Sequence, residues 1–99
     1  MSENLTRDAF AEQLNTKFDI YLAPENVVAA KLSEVTELRK MPHNEIFSIF
    51  LHAPVDVPFG QNIYKIEHSV LGSFELFLVP VGKDEEGVKY EAVFNRLVE

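Results

Sequence analysis

The chain has 99 residues, 46% of them hydrophobic and 11% aromatic, which is enough to bury the core of one ordinary domain. Its net charge of −7, with basic residues scattered singly apart from Arg39-Lys40, makes nucleic acid and anionic membranes poor partners. It contains no cysteine, which excludes disulfides and thiolate chemistry and fits a reducing compartment.

The amino terminus, residues 1–4, lacks the basic-then-apolar pattern of a signal peptide. The longest apolar runs fall far below the ~20 residues of a membrane-spanning helix. We therefore expect a cytoplasmic protein without a membrane anchor.

The first predicted element is a short helix over residues 6–15. Thr6 is a suitable N-cap, and Asp8 places a negative charge in the first turn, where it suits the helix dipole. Leu5 and Phe10 have the spacing of a hydrophobic staple. These signals together indicate where the helix begins.

Phe10 and Leu14 lie four residues apart and form one narrow apolar stripe on this helix, which Asn15 would end. A helix this short is not stable alone, so it must dock on the rest of the domain.

From residue 17 onwards the hydrophobic period changes to two, which is typical of β-strands. A slip in this period near Ser33-Glu34 predicts a β-bulge. The run from Ile46 to Ala53 is apolar at both parities, so we expect its strand to be buried on both faces. Six strands are predicted, at about residues 17–23, 27–38, 45–53, 62–69, 73–81 and 88–97.

The last three predicted strands are joined by hairpin loops that end at Gly72 and Gly87. Pairing about these loops predicts one apolar core face, made of Tyr64, Ile66, Phe74, Leu76, Leu78, Tyr90, Ala92 and Phe94. We call the opposite side the mixed face, and it contains Lys65, Glu67, Glu75, Phe77, Val79, Glu91, Val93 and Asn95.

Six short strands joined mostly by hairpin loops predict a mainly β fold with one short N-terminal helix. The strands would form an antiparallel meander that curls into a small six-stranded barrel or splits into a sandwich, and the barrel is preferred. The helix would fill one barrel end or, as the favoured alternative, cover the mixed face.

Three histidines, His43, His52 and His68, are the candidate metal ligands. If the strand at 45–53 paired with the strand at 62–69, His52 and His68 would lie about 16 Å apart along the sheet. Two ligands of one zinc ion must each lie ~2 Å from the metal. We therefore predict no metal site.

Glu67 and His68 resemble an acid–base pair, but adjacent residues of a strand point to opposite faces. We interpret His68 as a half-buried hydrogen-bonding residue that closes the barrel. With Asn95 and Arg96 nearby, the candidate polar cluster is Glu67, His68, Asn95 and Arg96. The serines lack a nucleophile motif and the glycines form no phosphate-binding loop, so we predict no catalytic residue and no cofactor.

The mixed face carries a second candidate site. Its apolar residues Phe77, Val79, Val81 and Val93 are ringed by charges, and an exposed apolar patch with a polar rim is typical of a docking surface.

The carboxyl-terminal half carries a pattern of blocks: Gln61-x-x-Tyr64-x-x-Glu67-His68, Leu71-Gly72, F-L-V-P-V-G at 77–82 and Y-E-A-V-F-N at 90–95. In these blocks, and over roughly residues 15–97, the chain resembles a small bacterial family known only as a domain of unknown function. The resemblance implies no activity. Its loose association with phage-tail-like proteins implies an assembly or accessory role.

The leading hypothesis is a non-enzymatic interaction or accessory module of a larger bacterial assembly, with another protein or a second copy as partner. The alternative is a small-molecule-binding barrel or a minor enzyme that uses His68 with Glu67, Arg96 or Tyr90. That alternative requires an internal cavity of ~300 Å³ or more. The position of the helix discriminates between a covered and an open mixed face.

Overall fold

The computed structural model describes residues 6–97, which form one short helix and seven strands. The helix α1 spans Arg7–Ala11. The strands are β1 Lys17–Ala23, β2 Asn26–Val35, β3 Arg39–Lys40, β4 Asn44–Ala53, β5 Asn62–His68, β6 Gly72–Asp84 and β7 Gly87–Leu97. Among these residues no helix has the length and apolar character needed to cross a membrane.

Six strands close into an antiparallel barrel, in the order β1, β2, β4, β7, β6, β5 and back to β1. The predicted mainly β fold with one N-terminal helix is confirmed, and of the two predicted forms the chain adopts the barrel. The extra strand β3 pairs with the start of β4. It lies on the same edge of β4 as β2, because β7 occupies the other edge.

The strand order departs from a continuous meander at one connection. β4 pairs with β2 and β7, and β5 pairs with β1 and β6, so β4 and β5 are not neighbours. The pairing of residues 45–53 with 62–69, which the metal argument used, is therefore wrong. Their connection contains Pro54 and Pro58, and Phe59 within it packs on the Tyr90 ring at 4.1 Å between centroids, so it crosses the barrel as a loop.

The predicted β-bulge occurs in β2, where this strand pairs with β4. The register between β2 and β4 shifts between Leu32 and Glu34, and β2 ends at Val35 rather than near residue 38. Thr36 then takes over the contact with β4, because its N–H donates to the Ser48 carbonyl at 2.9 Å and its Oγ1 accepts from the Ser48 N–H at 2.8 Å.

The predicted core face is confirmed. Its buried members are Ile66, Leu76, Leu78, Tyr90 and Ala92, and the half-buried members that pack on them are Tyr64, Phe74 and Phe94. In β4 only one parity is fully buried; residues 46, 48, 50 and 52 on the outer side are half-buried, so burial of both faces is not complete.

The helix α1 begins at the predicted cap, where Thr6 Oγ1 accepts a hydrogen bond from the Ala9 N–H at 3.1 Å. The helix ends at Ala11 and is followed by turns up to Asn15, whose φ of +70° asparagine tolerates better than most residues. Leu5, the predicted staple partner, lies outside the described residues.

Phe10 is completely buried and fills one end of the barrel. Its ring centroid lies 5.2 Å from that of Phe94, 6.1 Å from Phe74 and 6.3 Å from both Phe18 and Phe47. The helix therefore fills the barrel end and does not cover the mixed face.

Truncation of Phe10 should destabilise the protein strongly. Phe10→Ala removes a fully buried ring from an aromatic cluster, and we expect the free energy of unfolding to fall by about 3–5 kcal/mol. Leu14→Ala is the control, because Leu14 is 40% exposed and its truncation should cost well under half as much. Urea unfolding measures both changes, and equal losses would contradict the role given to Phe10.

The hairpin between β6 and β7 requires glycine at position 87. Gly87 is buried with φ of +148°, and a Cβ there would overlap the carbonyl oxygen of Ala53. Gly87→Ala should therefore lower the free energy of unfolding by about 2 kcal/mol or more. At Gly82 a Cβ would meet nothing within 4 Å, so Gly82→Ala should change stability by less than about 0.5 kcal/mol.

Candidate functional site

The mixed face is open to solvent over the outer side of β5, β6 and β7. Phe77 is 51% exposed, Val81 48% and Val93 61%, while Val79 is half-buried. Sequence reasoning missed one member: Ile63 lies opposite Phe77 and is 60% exposed. The register of the β5–β6 hairpin, which places residue 63 opposite residue 77, could have identified it. We call Ile63, Phe77, Val79, Val81 and Val93 the apolar patch.

The patch is divided by an opening between β6 and β7. The backbone ladder of this hairpin runs from Asp84–Gly87 only as far as Val79–Glu91, with a register shift between Pro80 and Gly82. Within the described chain no backbone pairing joins residues 72–78 of β6 to residues 92–97 of β7. We call the space between these two segments the β6–β7 cleft.

Phe77 and Val93 lie just beyond the last pair of this ladder, so they are not paired across the two strands. On the inner side, Phe74 and Phe94 belong to the two unpaired segments, and both rings pack on the Phe10 ring.

The charges around the patch are mainly negative. Lys65 Nζ lies 3.5 Å from Glu67 Oε2 and 5.2 Å from the centre of the Tyr21 ring, so that cation is already engaged. Glu75 lies opposite Lys65, and Glu91 lies opposite Val79. Among residues 6–97 neither Glu75 nor Glu91 has an ion-pair partner.

The first member of the predicted polar cluster, Glu67, points outward. Its Oε1 accepts a hydrogen bond from the Tyr21 hydroxyl at 2.8 Å, and its Oε2 accepts one from Ser73 at 3.3 Å. The bond from Tyr21 lowers the pKa of Glu67, and the same bond raises the pKa of Tyr21. The carboxylate is thus held on the outer side of the sheet, on the face opposite His68.

His68 points into the barrel end and is only 6% exposed. Its Nδ1 accepts hydrogen bonds from the N–H groups of Val70 and Leu71 at 3.0 and 3.1 Å. Thr16 donates its hydroxyl hydrogen to the Gln13 carbonyl at 2.7 Å, so the 2.8 Å contact of Thr16 Oγ1 with Nε2 requires Nε2 to donate. His68 is therefore the neutral tautomer with its proton on Nε2.

Asn95 and Arg96 have partners on β4 instead. Asn44 Nδ2 donates to Asn95 Oδ1 at 2.8 Å, and Arg96 Nη2 lies 3.3 Å from Glu45 Oε1. These two residues are on β7, whereas His68 is on β5, with β6 between the strands. Within residues 6–97 no hydrogen bond joins any two of the four predicted cluster residues.

His52 and His68 also have separate environments. His52 Nε2 lies 3.1 Å from Asp84 Oδ1, and that contact together with the Glu86 N–H lowers the pKa of Asp84. In the described part of the chain no three metal-ligating side chains come together. The prediction that the protein needs no metal stays a prediction.

Two hollows open to solvent border the candidate residues. One of about 450 Å³ borders His68 and is lined mostly by polar side chains, among them Lys17, Asp19 and Glu67. Another of about 240 Å³ borders the start of α1, where Arg7 and Glu45 line it. The interior positions of the barrel are filled by the buried core side chains.

Fold and surface together define a small closed antiparallel β-barrel with a helix-filled end and an open apolar patch. The family described as domain of unknown function DUF6916 matches residues 5–94, and the chain belongs to that family. No curated protein and no solved structure matches the chain.

The tautomer of His68 predicts how stability depends on pH. Burial lowers its pKa, an effect only partly opposed by Asp19, so the folded protein keeps His68 neutral where the unfolded chain has begun to protonate it. The unfolded state then binds more protons, and this contribution to stability is lost as the pH falls through about 6.5.

We expect His68→Asn, which retains an acceptor near Nδ1 but does not titrate, to flatten the slope of unfolding free energy between pH 5 and 7. His43→Asn is the matched control, because His43 is exposed in a loop and its loss should leave the slope as in the wild type. Urea unfolding at several pH values measures both. An unchanged slope in the His68 variant would contradict the assignment.

Proposed function

We propose that this domain is a non-enzymatic protein-interaction module that binds a partner through the apolar patch on its outer face. The observation that carries the proposal is the position of α1. Phe10 fills the barrel end, so the helix leaves Phe77 and Val93 exposed on the outer side of the sheet. Exposed apolar groups clustered within a charged rim favour association with another surface.

The geometry around His68 supports binding over catalysis at this place. Both ring nitrogens of His68 have hydrogen-bond partners, and Glu67 on the opposite face is bound to Tyr21. Arg96 pairs with Glu45. A general acid or base needs an available nitrogen or oxygen aimed at a reacting group, and these residues share no such point.

The finer part of the proposal concerns the setting. We propose an accessory or structural role in a larger bacterial assembly of the phage-tail-like kind that the family resemblance implies. The absence of cysteine supports a cytoplasmic site of action.

The proposal is tested by comparing two double variants of the full chain. In Phe77→Ser/Val93→Ser the patch loses its largest apolar area, whereas Val27→Ser/Val70→Ser removes exposed valines from other parts of the surface. Immobilised proteins are exposed to an extract of the source organism, and retained partners are cross-linked and identified by mass spectrometry.

We expect the wild type and the Val27/Val70 variant to retain the same partner, with cross-links to β6 and β7. The Phe77/Val93 variant should retain at least tenfold less, because a few well-packed residues at the centre of an interface carry most of its binding energy. Equal retention of the partner by both variants would contradict the proposal. So would a protein that is monomeric by sedimentation and retains no partner.

A further inference from the structure

The β6–β7 cleft leaves two stretches of strand with one side unused. Residues 72–78 pair with β5, and residues 92–97 pair with β4, but the two stretches do not pair with each other in the described chain. In an antiparallel strand, alternate residues direct their N–H and C=O groups to each side. The side of 72–78 that faces the cleft therefore presents a short row of backbone donors and acceptors.

Such an edge is recognised by an extended peptide, which adds a strand through main-chain hydrogen bonds. The side chains on the outer and inner sides of this strand edge favour an extended peptide as the occupant. On the outer side the edge carries Glu75 and Phe77, and on the inner side the half-buried Phe74 borders the opening. Alternate residues of an added strand would contact these two sides in turn.

The charges define the chemistry of that strand. Glu75 and Glu91 flank the patch and have no ion-pair partner among residues 6–97, while the nearby Lys65 is held by Glu67. A basic side chain opposite Glu75 would neutralise it, and an apolar one would cover Phe77. A second copy of this chain fits poorly, because each copy carries a net charge of −7 and the two would repel.

We infer that the partner contributes an extended segment whose outward positions carry basic and apolar residues in turn, and that this segment adds to the cleft edge of β6 over residues 72–78. This inference rests on the proposed function and specifies its partner. The segment hydrogen-bonds to the β6 backbone, places a lysine or arginine opposite Glu75, and packs an apolar residue against Phe77.

The inference is tested with an eight-residue peptide that alternates threonine at inward positions with lysine and valine, in turn, at outward positions. One control peptide has glutamate for each lysine, and a second is N-methylated on alternate backbone amides that would face β6. Titration calorimetry at low salt measures their affinities for the full chain, and hydrogen exchange maps the amides that become protected.

We expect the lysine peptide to bind, with exchange slowed at residues 72–78. The glutamate and N-methylated peptides should each bind at least tenfold more weakly. The double variant Glu75→Gln/Glu91→Gln should weaken binding about three- to tenfold. The variant Glu12→Gln/Glu25→Gln changes the net charge equally at exposed sites elsewhere and should stay within twofold of the wild type.

Equal affinity for the lysine and glutamate peptides, equal losses in the two glutamine variants, protection outside β6, or dimerisation of the chain through this face would each overturn the inference. The proposed function can survive that result. If a partner is still retained in a manner that depends on Phe77 and Val93, the module binds proteins but not by adding a basic strand. If retention does not depend on them, the proposed function itself fails.

Discussion

The buried ring of Phe10 is the contact on which the rest of the structure depends. A small barrel of six strands must fill its open ends with side chains, and at one end this chain uses a residue from outside the sheet. The ring contacts Phe74 and Phe94, which lie on the segments of β6 and β7 beyond the end of their ladder. The short helix, the shortened ladder and the open patch are thus connected through one aromatic cluster.

The same barrel end contains a buried histidine, His68, whose two ring nitrogens both have hydrogen-bond partners. His68 joins the turn after β5 to the turns after α1, through its bonds to Val70 and Leu71 on one nitrogen and to Thr16 on the other. Its ring also lies 4.3 Å from that of Phe18. A histidine with every polar atom engaged is suited to holding two loops together, which explains its burial without an enzymatic role.

Local patterns were sufficient to predict most of the elements. The change from a period of 3.6 to a period of two located the helix and the strands, and the alternation in the last three strands predicted the core face. The sequence could not reveal that β4 pairs with β7, since pairing between distant strands depends on packing of the whole barrel. A hairpin between β4 and β5 was the simplest local expectation, and the Pro54–Gly60 loop replaces it.

The candidate site was likewise predictable in part from the sequence. Exposure of Phe77 and Val93 followed from their parity, whereas the end of the β6–β7 ladder at Val79 and Glu91 did not follow from the alternation of either strand. The four residues of the predicted polar cluster do not meet, because β6 lies between His68 on β5 and Arg96 on β7. Side-chain partners such as Tyr21 and Asn44 come from strands whose pairing the sequence does not reveal.

The loop between β4 and β5 has a consequence for how the chain folds. It is the single covalent link between two three-stranded units, β1–β2–β4 and β5–β6–β7, which otherwise meet through the β1–β5 and β4–β7 ladders. Each unit is local in sequence, but the two seams that close the barrel join residues between 35 and 53 positions apart. We therefore expect closure to be the slow, entropy-limited step of folding, and the two units to be candidate fragments for complementation in trans.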